Sequence, residues 1–162
     1  MADQTQVLTH LTADGQALMV EVAAKPETAR GAIASSRVTL SAAAFAAVRD
    51  NSGPKGDALQ TARLAAIAAV KRTADLIPLC HPLRLTHIDV QAALHAADSA
   101  VVFTVQVHAV DRTGVEMEAM TGASIAALVL YDMIKAVDHS AQISAVTLLQ
   151  KWGGKSGHFV RG

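Results

Sequence analysis

Cysteine is almost missing: Cys80 is the only one in 162 residues. No disulfide framework can form within the chain, and a lone thiol fits a reducing compartment. Aromatic residues make up only 3%, beside an apolar fraction of 51%. Ala, Val and Leu must therefore build the core, and such small side chains suit close helix-to-sheet packing and large contacts between subunits. Net charge is absent too. Fourteen Lys plus Arg balance fourteen Asp plus Glu, with no long like-charge run, so no nucleic-acid or membrane surface is expected. The start, MADQTQVLTH, lacks a basic region leading into an apolar one, so no secretory signal is read. No apolar stretch reads as long and uninterrupted enough to span a bilayer. The length fits one domain over residues 1–162 with a respectable core, cytoplasmic, without repeats or a dividing linker.

Along the chain, residues 1–15 read as a loose polar arm ending in Ala-Asp-Gly, and Ala17 to Val22 as a short strand. Arg30 to Leu40 is a second strand. Ser41 is an N-cap for the short helix that follows. Asn51-Ser52-Gly53-Pro54 is a loop. Asp57 and Gln60 form a capping box for a helix whose buried face is marked by Leu64, Ile67 and Ala68. Lys55 stands just before that helix, where the dipole favours anions. A lysine there is either a solvated loop residue or one that meets an anionic ligand. In Leu76 to Leu83, LIPLCHPL, two prolines exclude regular helix and the apolar residues imply a buried, rigid loop. Leu83 to Leu94 and Ala100 to Val110 are strands joined by a hairpin through Ala97-Asp98-Ser99. Ile143 to Leu149 is the last strand, and residues 151–162 are a flexible tail rich in lysine and glycine.

The stretch Thr113 to Asp138 reads as one long helix. Thr113 and Glu116 have the spacing of a capping box, and Ala119 to Leu130 carries no charge. Asp132 shares a stripe with Ile125 and Leu128, so its carboxylate must be paired or shift its pKa, and Lys135 is the nearest partner. A buried structural ion pair would explain these residues as well as a reactive one. The order strand, helix, strand, strand, helix, strand gives the fold class. It is α+β, a ferredoxin-like sandwich with an antiparallel sheet and helices packed on one face.

Zinc is not expected, because one cysteine without C-x-x-C or H-x-x-x-H spacing supplies too few ligands. Gly154-Lys155-Ser156 lacks the earlier glycine of a phosphate loop.

Three segments stand together: KGDALQTARLAAIAAVKRTADLIPLCHPL, TGVEMEAMTGASIAALVLYDMIKAVD and KWGGKSGHF. In this order they closely resemble the MoaC family of molybdenum cofactor biosynthesis, from about Leu18 to Phe159. The resemblance implies a lyase that converts 3′,8-cyclo-7,8-dihydro-GTP to cyclic pyranopterin monophosphate and releases diphosphate. It implies a substrate supplied by a MoaA-like radical S-adenosylmethionine enzyme, no cofactor of its own, and a homohexamer, a trimer of dimers, with its site at a subunit interface. It assigns catalysis to Asp132, Lys55 and Lys135, and substrate contacts to Leu79, Cys80, His81, Met117 and Glu118. Glu116 and Lys151 become neighbours of the site, and Arg30 a phosphate contact.

Physical chemistry adds roles to that assignment. Lys55, Lys151 and Arg30 suit a triphosphate. Asp132 and Lys135 form an acid–base couple near neutrality if the apolar helix surface outweighs their attraction. Glu118 and His81 hold a guanine-like edge. Two other readings stand beside this one. A GTP cyclohydrolase on the same scaffold would bind a metal. An oligomeric binding module would use Gly122, Ala123, Ala126 and Ala127 as close-packing positions, yet leave Lys55, Glu118, Asp132 and Lys135 unexplained.

Overall fold

The computed structural model describes residues 10–12, 14–155 and 157–162. Burial alternates residue by residue along two central strands, β1 (Thr28–Thr39) and β3 (Ala100–Asp111). Ala32, Ala34, Ser36 and Val38 of β1 and Val101, Phe103, Val105 and Val107 of β3 turn inward. That period of two leaves one sheet face for helices to cover. The sheet is antiparallel in the order β2-β3-β1-β4-β5, with β2 at Leu85–His95, β4 at Gln142–Trp152 and β5 at Phe159–Val160. The helices are α1 (Ala42–Arg49), α2 (Ala58–Val70), the single turn α3 (Thr73–Leu76) and α4 (Glu116–Ile134). This is the ferredoxin-like α+β arrangement expected from the order of elements. Residues 96–98 and a left-handed Ser99 close the β2–β3 hairpin.

Small side chains let α4 lie close on the sheet. Ala119, Ala123, Ala126 and Ala127 have no exposed surface, and Ser36 of β1 donates a 2.7 Å hydrogen bond to the Ala123 carbonyl. The helix is long and apolar enough to cross a bilayer by length and composition alone, contrary to the expectation that no stretch would be. Its packing on α2, β1 and β3 makes it the core helix of this fold instead.

Both short-range caps form: Ala44 N–H donates to Ser41 Oγ at 3.3 Å, and Gln60 N–H to Asp57 Oδ1 at 2.9 Å. The Thr113–Glu116 box does not form. The N-cap of α4 is Val115, without a side-chain cap, because Thr113 lies two residues too early.

Other expectations are corrected by packing. Helix α2 buries Ala58, Ala62, Ala66, Ala69 and Val70, while Leu64 is 59% exposed and Ala68 is exposed. Alanine lets α2 approach α4 closely, and the larger leucine is turned out. The Leu76 to Leu83 loop is irregular, as its prolines require, but half-exposed and not buried. Ala17 to Val22 forms no strand beyond one bridge, Leu11 to Ala17. The arm at 1–15 lies mostly outside the described residues. In the tail, Phe159 and Val160 pair with Lys151 and Gln150 of β4.

Candidate functional site

Helix α4 carries chemistry at both ends. At its C-terminal end, Asp132 accepts from two lysines, one on each oxygen. Lys55 Nζ lies 2.7 Å from Oδ2, and Lys135 Nζ 2.8 Å from Oδ1. Lys55 arrives there because Asp57 caps α2 and α2 packs antiparallel to α4. The trio is on the surface. Asp132 is 52% exposed, and the stripe it shares with Leu128, itself 53% exposed, is the outward one. Attraction therefore wins over desolvation. Hydrogen bonds from Lys135 and then Lys55 pull the Asp132 pKa down to about 2, and Asp132 pushes that of Lys135 up. The expected couple poised near neutrality is not found in the isolated chain, because no apolar surface covers it.

At the other end of α4, Glu116, Met117 and Glu118 face the Leu79-Cys80-His81 loop across a cavity of about 400 Å³. Glu118 is 4% exposed. Burial, then Glu116, pushes its pKa up to about 7 against the pull of its own backbone N–H. Burial and Glu118 also push the Cys80 thiol up. The group poised near neutrality is thus Glu118, for which the family resemblance implies a substrate contact.

A second cavity, of about 540 Å³, shares the walls Lys25, Thr113, Gly114 and Glu116 with the first, so the two form one elongated cleft. Its far end is cationic, with Arg30, Arg112, Lys151 and Lys155 beside Trp152. Lys151 lies 3.3 Å from Glu116. Arg30 is held by the carbonyls of Asp111 and Arg112 at 3.3 and 3.2 Å. With Lys25, five cations stand here against the one carboxylate of Glu116, so this end is positively charged. Lys25, Arg112, Lys155 and Trp152 were missed from sequence. Only strand register gathers them, since Thr28 pairs with Asp111 and Gly31 with Trp152.

The structure therefore brings Leu79, Cys80, His81, Met117, Glu118, Glu116, Lys151 and Arg30 to one cleft. It gathers Lys55, Asp132 and Lys135 elsewhere. Asp132 stands fourteen positions after Glu118 on α4, roughly 21 Å along the helix at 1.5 Å per residue. Among the described residues no three His, Cys, Asp or Glu side chains gather as a metal set.

The profile of the MoaC family matches residues 19–154. Curated relatives named "Cyclic pyranopterin monophosphate synthase" are about equally similar. The Roseiflexus sp. (strain RS-1) protein is 51% identical over 153 residues, covering 94% of this chain and 97% of its own. The one from Thermomicrobium roseum is 50% identical over 154 residues, 95% and 93%. That from Heliobacterium modesticaldum is 49% identical over 154 residues, 95% and 97%. The match runs through both ends of α4 and all of the cleft lining except His10 and Lys155, and the chain belongs to the MoaC family.

Proposed function

We propose that this chain is a cyclic pyranopterin monophosphate synthase. It is a lyase that rearranges 3′,8-cyclo-7,8-dihydro-GTP and releases diphosphate by acid–base catalysis. The cleft carries this reading: a cationic end fits a triphosphate, and a buried carboxyl with a histidine fits a purine-derived ring. Arg30, Lys25, Arg112 and Lys151 neutralise the leaving diphosphate. Glu118 and His81 hold the ring edge. Lys55, Asp132 and Lys135 supply the catalytic charges.

Those three charges cannot reach ligand in the same protomer's cleft across about 21 Å. A second copy of the chain that lays its Lys55–Asp132–Lys135 cluster over the cleft would complete the site. It would also cover the trio and remove the solvent that now screens it. The homohexamer, the MoaA-like enzyme that supplies substrate and the cytoplasmic setting belong to the same proposal.

The test is turnover of authentic cyclised GTP intermediate, following pterin product and diphosphate. Wild type should make both. Lys55→Ala and Asp132→Asn should each lose about 10²–10⁴-fold while still assembling. Wild type that makes neither product would overturn the reading.

A further inference from the structure

Strand β4 reaches the cleft after losing its regular register twice. Its pairing with β1 shifts between Ile33 and Ala34 and again between Ser35 and Arg37, and Ala145 is left-handed. Such a strand needs a pin, because a slip of one residue would exchange its two faces. Lys151 and Trp152 are where that exchange would matter. Lys151 faces the helix side and reaches Glu116 at the start of α4, while Trp152 lies on the opposite face.

The pin is visible in one row across the sheet: His87 of β2 pairs with His108 of β3, His108 with Gly31 of β1, and Gly31 with Trp152 of β4. Gly31 has no side chain, and the indole lies over it. A Cβ there would overlap the ring. By crossing Gly31 the indole meets His108 edge-on, with centroids 5.4 Å apart and planes at 79°. His108 is itself held by Gln106 at 2.7 Å and packs on His87 with ring centroids 5.1 Å apart. The two residues after Trp152 use the same close approach. Left-handed Gly153 lies against the Ala29 carbonyl, and a side chain on Gly154 would collide with the Arg30 guanidinium.

We propose that Trp152 is a positioning residue for the anion end of the cleft. Seated over Gly31 and braced by His108, it fixes the register that aims Lys151 at the cleft and wraps the Gly153–Gly154 turn around Arg30. The ligand it serves through them is the diphosphate portion of the substrate, and later the released diphosphate. This rests on the function proposed above, but binding can be tested without turnover.

The probe is inorganic diphosphate, titrated into the assembled protein by calorimetry and by the emission of Trp152, the only tryptophan in the chain. Wild type should bind it with a change in emission. Trp152→Leu should weaken binding tenfold or more and raise KM in proportion, with kcat kept within about threefold. Trp152→Phe should recover most of the affinity. Gly31→Ala keeps the indole but unseats it, so emission should shift and diphosphate binding weaken as in Trp152→Leu.

Unchanged affinity in Trp152→Leu, or a shifted emission with unchanged affinity in Gly31→Ala, overturns the proposal. A uniform fall in kcat with KM and diphosphate affinity intact does the same. Failure of wild type to bind diphosphate would instead count against the functional reading of the cleft.

Discussion

Glu118 and Asp132, both carboxylates on α4, are driven in opposite directions by their surroundings. Glu118 is buried beside the charge of Glu116, so its folded pKa, about 7, lies above its ordinary value near 4.5. Between those values the folded chain holds a proton that the unfolded chain has released. Its stabilising contribution is complete below about pH 4.5 and falls as pH rises through 7, by roughly 3 kcal/mol at most. Urea unfolding at pH 5 and pH 8 should show this loss in wild type and little of it in Glu118→Gln. An equal pH dependence in both proteins would refute the assignment. Asp132 has the reverse sign. Its folded pKa is depressed to about 2, so its contribution is present above pH 4 and disappears as pH falls through 2. In a single copy the group is exposed and screened, so Asp132→Asn should barely move the unfolding midpoint of the unassembled chain at pH 7, while it removes turnover by the assembly. A large stability loss with turnover intact would make the trio structural.

Among the elements, caps and close approaches carry most of what a single substitution can disturb. Asp57→Ala removes the cap of α2 and should cost about 1 kcal/mol in denaturant unfolding. It should also loosen Lys55, two residues upstream, so activity should fall more than stability explains. At Gly122 a Cβ would stand 2.6 Å from Val70 Cγ2 and 3.0 Å from Val105 Cγ1, where α2, α4 and β3 meet. Gly122→Ala should therefore lower stability by about 1–3 kcal/mol, despite the better helix propensity of alanine. A rise in the thermal midpoint would show that the two valines can move aside.

Local chemistry made most of these elements legible in the sequence: the Ser41 and Asp57 caps, the hairpin before Ala100, and the prolines around Cys80. Non-local packing did not. Leu64 faces solvent because the alanines of α2 allow a closer approach to α4 than a leucine would. A register irregularity between Leu85 and His87 sets Leu85 against the core beside Ile88 and Val90, although its spacing from them has the wrong parity. The candidate site divided in the same way. Motif likeness located Leu79 to His81, Met117, Glu118 and Asp132. Lys25, Arg112 and Lys155 meet only through strand pairing, which no local pattern encodes.

For the whole molecule, the distance along α4 is the controlling quantity. One copy of the chain has the cleft at one end of this helix and a lysine–aspartate–lysine cluster at the other. If the two belong to one reaction, each active site takes its cleft from one copy and its cluster from the next. The pKa of Asp132 should then rise on assembly and substrate binding, as solvent is excluded from the trio.

Subunit complementation tests this most directly. Lys55→Ala and Glu118→Ala chains, each inactive alone, would be unfolded together, refolded as a mixture and assayed with the cyclised GTP intermediate. In a shared site, half the subunit pairs become mixed and each mixed pair holds one intact site. Turnover should therefore recover to about a quarter of the wild-type rate. A mixed assembly of the correct size that stays as inactive as its parents would contradict the shared site.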